Sequence, residues 1–136
     1  MAKPKKKDYI YALGRRKGAS ARVRLYKGEG DNLVNGEVIG KCFPGELAKE
    51  SWQKPFKVTD TLAKYHVSIK VHGGGKKGQL DAVVHGIARA LSFTNREKFR
   101  APIKKAGLLT RDARVRQRRM VGTGGKARRK KQSPKR

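Results

Sequence analysis

A glycine-rich loop contains the residues whose types and spacing come closest to a chemical motif. Within "HGGGKKGQ", Gly73, Gly75 and Gly78 have the G-x-G-x-x-G spacing of a dinucleotide-binding fingerprint. That fingerprint also needs a strand ending in an acid about 20 residues further on, where residues 95–98 instead indicate the charged start of a helix. A P-loop is excluded as well, because Gln-Leu follows the last glycine in place of Lys-Ser or Lys-Thr. The sequence therefore predicts no nucleotide cofactor.

The same loop has the features of a phosphate site that needs no cofactor. Free backbone N–H groups at a helix N-terminus attract anions, and glycines allow a close approach to the backbone. Lys76 and Lys77 add positive charge at the same place. We predict that a nucleic-acid phosphate binds here; the alternative is a flexible turn with solvated lysines.

The other reactive side chains form no constellation. His66 and His72 are six residues apart on a predicted strand, about 20 Å by strand rise, so they cannot share a metal. His85 is explained as a residue on the polar face of a helix. Cys42 is the only cysteine, which excludes an intramolecular disulfide or a zinc cluster of cysteines and is typical of a reduced thiol. We predict no catalytic residue, no metal site and no enzymatic activity.

Charge is the dominant property of the composition. The chain has 36 Lys and Arg against 10 Asp and Glu, a net charge of +26. Self-repulsion of this size is tolerated when a polyanion neutralises it, with nucleic acid the first candidate and an anionic membrane surface the second. No apolar run approaches the ~20 residues of a membrane span, and no apolar segment of a secretory signal follows the basic start. We predict a cytoplasmic protein that binds a polyanion and does not enter a membrane.

Strands and a basic turn are predicted near the N-terminus. Residues 9–28 indicate two strands, in the second of which Ala21, Val23 and Leu25 alternate with polar or aromatic residues, as in a half-buried strand. Gly18 is available for an unusual backbone conformation at the turn. The cations of the turn and the outward positions are Arg15, Arg16, Lys17, Arg22 and Arg24. Tyr11 and Tyr26 either stack on bases or pack at the edge of the core.

Further elements follow from periodicity. Asn35-Gly36 predicts a tight hairpin, residues 44–53 a short helix with Leu47 and Trp52 among its anchors, and residues 65–72 a strand with alternate residues inward. Residues 79–93 form the clearest helix, and a weaker one covers residues 95–107. The clear helix has a single apolar stripe of Leu80, Val83, Val84, Ile87, Ala88 and Leu91, with Asp81, His85 and Arg89 on the opposite face.

These elements divide the chain into a basic arm (1–8), a small α/β (α+β) core (9–107) and a basic tail (108–136). From residue 113 onward, 24 residues hold eleven Lys or Arg and no acid. Fully extended, they span up to about 80 Å, whereas a core of ~100 residues has a radius of gyration of about 13 Å. The tail is therefore predicted to contact a distant site, with a solvated, nonspecific charge run as the alternative.

Four ordered motifs carry a resemblance. "GRRKGASARVRLYKG", "GGGKKGQLDAVVHGIARAL", "KAGLLTRDARV" and the terminal "KAR…KR" resemble those of the small-subunit ribosomal protein nine family, bacterial type. The resemblance implies a small mixed sheet with helices on one face, related to the second domain of ribosomal protein five. It also implies binding to small-subunit rRNA in the subunit head beside neighbouring ribosomal proteins, with the tail reaching the anticodon stem-loop of P-site tRNA.

The resemblance also implies roles for individual residues. Implied rRNA-binding residues are Arg15, Arg16, Lys17, Arg22, Arg24, Lys76, Lys77, Arg111, Arg114, Arg116, Arg118, Arg119, Lys126, Arg128, Arg129, Lys130 and Lys131. Lys135 and Arg136 match the end of the family that contacts tRNA, although Ser133-Pro134 replaces the usual aromatic approach to that pair. A free-standing basic nucleic-acid chaperone or DNA-compacting protein is the alternative function.

Overall fold

A computed structural model describes residues 8–122 of the chain. Nine strands and α-helices, together with one π-helical turn at Arg96–Arg100, make up this part. The strands are β1 (Tyr9–Arg16), β2 (Ala19–Lys27), β3 (Leu33–Val34), β4 (Glu37–Val38) and β5 (Tyr65–His72), and the helices are α1 (Ile39–Cys42), α2 (Glu46–Thr59), α3 (Lys76–Thr94) and α4 (Ala101–Lys105). Residues 108–122 contain neither helix nor strand.

The strands form one mixed sheet in the order β1-β2-β5-β3-β4. β2 is antiparallel to both β1 and β5, so Val23 lies between Ala12 and Ile69. β3 runs parallel to β5 and antiparallel to β4. Helices α1 and α2 provide the long connection that a parallel pair of strands requires.

The core lies on one face of this sheet. Alternate residues of β2 and β5 are buried, as their period-two pattern predicts. Helix α3 packs on β1 and β2, and α2 packs on α3. Outward side chains of β1, β2 and β5 are exposed or half-buried, so the other face of the sheet is open. The prediction of a mixed sheet with helices on one face is confirmed, whereas the relation to ribosomal protein five stays a prediction.

The Asn35-Gly36 hairpin is confirmed, and Asn35 has a second role. Both residues have positive φ, 52° and 84°, as a tight two-residue hairpin requires. The Asn35 side chain accepts a hydrogen bond from the Val71 N–H (2.9 Å) and donates one to the Val71 carbonyl (3.1 Å). The side-chain amide of Asn35 therefore takes the place of a strand residue. It continues the hydrogen bonding along β5 beyond the end of β3.

Helix α2 differs from its prediction in length and in one anchor. It continues to Thr59 because Trp52, Pro55, Phe56 and Thr59 extend one buried stripe at helical spacing. Trp52 is an anchor as predicted, but Leu47 is 81% exposed, so its prediction was wrong. Leu47 belongs to the first turn, on the side of the helix away from that stripe.

Helix α3 is buried over a wider surface than its predicted stripe. Gly78, Ala82, Gly86 and Ala90 are also buried, because α3 lies almost in backbone contact with β1. A Cβ atom on Gly14 would stand 2.0 Å from the Ala82 carbonyl oxygen. Hydrophobic periodicity does not report such a contact, since the residues that permit it are the smallest ones.

The structure leaves the domain boundaries as predictions. The predicted arm lies outside the described residues apart from its last residue. Of the implied binding residues, Lys126, Arg128, Arg129, Lys130, Lys131, Lys135 and Arg136 also lie outside them. Within residues 8–122, no helix is long and apolar enough to span a bilayer.

Candidate nucleic-acid interface

Cations and aromatic rings cover the open face of the sheet. Arg15 projects from β1, Arg22 and Arg24 from β2, and Lys70 from β5, and all four are exposed. Arg22 lies directly opposite Lys70 in the β2–β5 register. Like charges in that arrangement destabilise a sheet, so an anion bound over the pair would relieve the repulsion.

The cations surround a shallow depression at the β1–β2 end of this face. Its volume is about 400 Å³, and no acid lines it. The lining residues that bear polar or aromatic groups are Tyr11, Arg15, Lys17, Ser20, Arg22, His72 and Arg111. The side chains of Arg15, Lys17 and Arg22 make no hydrogen bond or ion pair with any residue from 8 to 122. Four residues named by the motifs are thus brought together with donors available for phosphate oxygens.

The aromatic residues divide into a packed row and one open ring. Tyr26 stacks on His66 (ring centroids 5.2 Å apart, planes at 11°) and meets Tyr9 at 5.7 Å. The Arg24 guanidinium lies 4.9 Å from the centre of the Tyr9 ring. These contacts favour the packing interpretation for Tyr26. Tyr11, in contrast, is 50% exposed beside the depression and offers a face to a base.

The glycine loop packs against the β1–β2 turn. Gly73 and Gly74 have positive φ (77° and 62°), and a Cβ on Gly73 would stand 2.4 Å from the Gly18 carbonyl oxygen. These glycines are therefore required by packing, and their spacing needs no nucleotide to explain it. In the turn itself, Lys17 has the positive φ (54°), not Gly18 as predicted. The contact brings Lys17 close to the start of α3.

Lys76 and Lys77 form the first turn of α3, which begins three residues before its predicted start. Both side chains are exposed. The N-cap residue, Gly75, supplies no side-chain hydrogen bond, so the first N–H groups of the helix depend on other acceptors. The phosphate site that the sequence predicts at this loop stays a prediction. Its two exposed lysines make this corner of the protein basic.

Arg16 has different surroundings from the other cations of the turn. Only 14% of its side chain is exposed, and it forms ion pairs with Asp112 (3.3 Å) and Asp81 (3.7 Å). It also donates a hydrogen bond to the Arg114 carbonyl (2.8 Å). Consecutive strand residues point to opposite faces, so Arg15 faces the depression while Arg16 faces α3. The predicted rRNA contact of Arg16 stays untested, and what the structure assigns to it is attachment of residues 112–114.

The predicted polar face of α3 also bonds to neighbouring segments of the chain. His85 Nε2–H donates to the Leu109 carbonyl (3.3 Å), and Arg89 donates to the Leu13 carbonyl. Burial lowers the pKa of His85 below its usual 6.5, so the ring is neutral at neutral pH. The contribution of this neutral ring to stability is present above pH ~6.5 and is lost as the pH falls through the lowered pKa. The predicted polar face of Asp81, His85 and Arg89 is half-buried, because Asp81 pairs with Arg16, His85 bonds to Leu109 and Arg89 bonds to Leu13.

The carboxyl of Asp112 should titrate below the usual range. Hydrogen bonds from the Arg114 side chain and backbone, with the charge of Arg16, lower its pKa. Because the folded pKa is depressed, attachment of residues 112–114 is strongest above pH ~4 and is lost as the pH falls toward the lowered value. A carbon-13 NMR titration of the Asp112 carboxyl measures this. Arg114→Gln should raise the pKa and Arg118→Gln should not, whereas an ordinary midpoint in the unmodified chain would contradict the arrangement.

Beyond this attachment the chain leaves the core. The side chains of Val115, Met120 and Val121 are exposed, and so are those of the predicted cations Arg111, Arg114, Arg116, Arg118 and Arg119. Among residues 8–122, no three His, Cys, Asp or Glu side chains are placed to hold a metal ion.

Comparison with known proteins identifies the family of this chain. The family model described as ribosomal protein S9/S16 matches residues 14–136. The chain belongs to the S9 family of ribosomal proteins. The family is structural and non-enzymatic, so the predictions of the family and of a non-enzyme are confirmed.

Named relatives of this S9 family member are small ribosomal subunit proteins. The uS9 protein of Maridesulfovibrio salexigens is 48% identical over 119 residues, which cover 88% of this chain and 91% of that protein. The uS9 protein of Desulfotalea psychrophila is 48% identical over 122 residues, covering 87% and 90%. These relatives support a structural ribosomal role and suggest the bacterial type of the family.

Proposed function

We propose that this S9 family member binds small-subunit rRNA in the head of the subunit, with the open face of its sheet against the RNA backbone. The observation that carries the proposal is the acid-free depression surrounded by Arg15, Lys17, Arg22 and Arg111. Guanidinium groups suit phosphate oxygens because their donors are fixed in a planar fork. Phosphate contacts position a protein without reading sequence, which fits a structural role.

The repulsion between paired cations supports the same conclusion. Arg22 and Lys70 are held side by side by the strand register, and no acid of the described chain is paired with either. Such an arrangement is costly in the free protein and favourable on a polyanion, where each contact also releases condensed counterions. Lys77, which lines a second cavity together with Arg15, extends this surface toward α3.

We further propose that the tail follows rRNA and that Lys135 and Arg136 contact the anticodon stem-loop of P-site tRNA. The support is the motif resemblance together with the attachment at residues 112–114, which gives the tail a defined point of departure. From Arg114, the 22 remaining residues reach about 70 Å when extended. The division into arm, core and tail is part of this proposal.

Co-sedimentation with ribosomal particles tests the rRNA proposal. In a sucrose gradient, the tagged full-length chain should migrate with the small subunit. A free-standing nucleic-acid chaperone or DNA-compacting protein would stay in the light fractions, and that result would overturn the proposal. Salt dependence alone does not separate the two functions, because both depend on phosphate contacts.

Removal of Lys135 and Arg136 tests the tRNA proposal. Assembly of the small subunit should be almost unchanged, while P-site tRNA affinity should fall about tenfold or more through the loss of two phosphate contacts. Filter binding of tRNA to purified small subunits measures this. The control, Lys5→Gln with Lys6→Gln, removes the same charge from the N-terminal arm and should have little effect. Equal tRNA affinity in all three proteins would contradict the proposal.

A further inference from the structure

The acids of the chain are concentrated at one end of the sheet. Residues 29–50 contain five carboxylates against two lysines, a net charge of −3 in a chain that carries +26. The carboxylates, all exposed, are Glu29, Asp31, Glu37, Glu46 and Glu50. None forms a salt bridge with a residue of the described part. β3 and β4 lie at the edge of the sheet opposite β1, so this surface and the cation-lined depression are at opposite ends.

A groove opens within this acidic surface. It lies between the loop before β3, the junction of β4 with α1, and the first turns of α2, and its volume is about 540 Å³. Its apolar lining comes from Val38, Ile39, Phe43 and Trp52, and its charged lining from Asp31, Glu46 and Lys49. Space of this size accommodates a few side chains of a partner.

Two features of the groove are unsatisfied in the free chain. The indole N–H of Trp52 is enclosed and has no hydrogen-bond acceptor within residues 8–122, and the residue is only 7% exposed. Buried indole N–H groups normally have an acceptor. Beside the groove, Val38 and Leu47 expose large apolar side chains. Carboxylates that pair with no cation and exposed apolar side chains therefore occur together here. The indole N–H that has no acceptor lies among them.

We propose that this groove docks an extended, Lys- or Arg-containing segment of a neighbouring protein. Cations of the segment would pair with Asp31 and Glu46, and an apolar side chain would cover Val38, which is 46% exposed. RNA does not fit, because the carboxylates would repel its phosphates. The proposal rests on the proposed function only in that it seeks the partner within the assembled small subunit.

Photocrosslinking in assembled particles tests the docking surface. A benzophenone amino acid at Leu47, which is exposed and outside the core, is introduced into the full-length chain, and small subunits are purified and irradiated. We expect a crosslink to another protein, at a peptide rich in Lys or Arg identified by mass spectrometry. The matched probe at Lys70, on the open face of the sheet, should crosslink to rRNA. A crosslink from position 47 to rRNA or to residues 1–7 of the same chain, or no crosslink, would overturn the proposal.

Charge reversal separates electrostatic docking from simple proximity. Asp31→Lys with Glu46→Lys should lower the protein crosslink from position 47 at least fivefold, while the rRNA crosslink from position 70 persists. Asp8→Lys with Glu97→Lys reverses two exposed acids elsewhere and should leave both crosslinks unchanged. An undiminished crosslink in the first variant contradicts the proposal. Failure of the chain to co-sediment would count against the proposed function, whereas failure of the position-47 crosslink in co-sedimenting particles counts against the docking surface alone.

Discussion

Replacing Gly14 by alanine is expected to lower the free energy of unfolding by about 3 kcal/mol or more. The added Cβ would stand 2.0 Å from the Ala82 carbonyl oxygen and 2.4 Å from the Gly86 nitrogen. Both are backbone atoms of α3, so no side-chain rotation relieves the overlap. The helix must move away from β1, which disturbs the largest helix–sheet contact within residues 8–122. The hydrogen bond from Arg89 to Leu13 crosses the same contact and would be strained by that movement.

Urea denaturation followed by circular dichroism measures this effect through the midpoint and slope of the transition. Gly40→Ala is the matched control, because a Cβ there meets nothing within 4 Å and Gly40 lies in helix α1. Gly86→Ala should fall between the two, since its Cβ would meet a side-chain atom, Val23 Cγ2, at 2.6 Å and no backbone atom closer than 3.3 Å. If Gly14→Ala unfolded at the same urea concentration as Gly40→Ala, the close packing of α3 on β1 would be wrong.

The second large effect concerns RNA affinity. Changing Arg15, Lys17, Arg22 and Arg24 together to glutamine should weaken binding to small-subunit rRNA about a thousandfold at ~0.1 M salt. The log–log dependence of affinity on salt should become shallower by about 3, because four phosphate contacts are lost. Fluorescence anisotropy across a salt series measures both quantities. The fold should persist, since within residues 8–122 these four side chains make no hydrogen bond or ion pair and one ring contact, Arg24 over Tyr9.

A charge-matched variant shows whether position or total charge matters. Lys41, Lys49, Lys54 and Lys57 are exposed residues of α1 and α2, away from the open face of the sheet. Changing these four to glutamine removes the same charge and should weaken rRNA binding less than tenfold. Equal losses in the two variants would mean that the chain binds RNA through its overall charge, and the proposed interface would then be abandoned.

Local sequence patterns predicted the elements that local interactions determine. The alternation in β2 and β5, the Asn35-Gly36 hairpin and the main stripe of α3 are properties of residues close together in the chain, and the structure confirms them. The end of α2 was placed too early, although the apolar spacing at Trp52 and Phe56 continues past the expected boundary. Pro55 lies inside that helix, where packing of the stripe outweighs its missing hydrogen bond.

The candidate site was predicted less completely because it depends on contacts between distant residues. Arg15 and Arg22 follow from the strand pattern, but Arg111 joins their depression only through the path of residues 108–112 along α3. The strand pattern also distinguishes Arg16 from Arg15. Since it follows Arg15 directly in a strand, its side chain had to point to the opposite face, toward Asp81 and Asp112.

The separation of charge along the sheet affects how the protein meets its target. Within residues 8–122, the cations around β1 and β2 and the carboxylates around β3 and β4 give the sheet an electric dipole across its width. In the field of a polyanion this dipole experiences a torque, so the molecule turns its basic end forward before contact. Encounters are then oriented as well as accelerated. In the proposed complex with rRNA, the acidic end faces away from the RNA, and the proposed docking groove stays accessible to a basic segment.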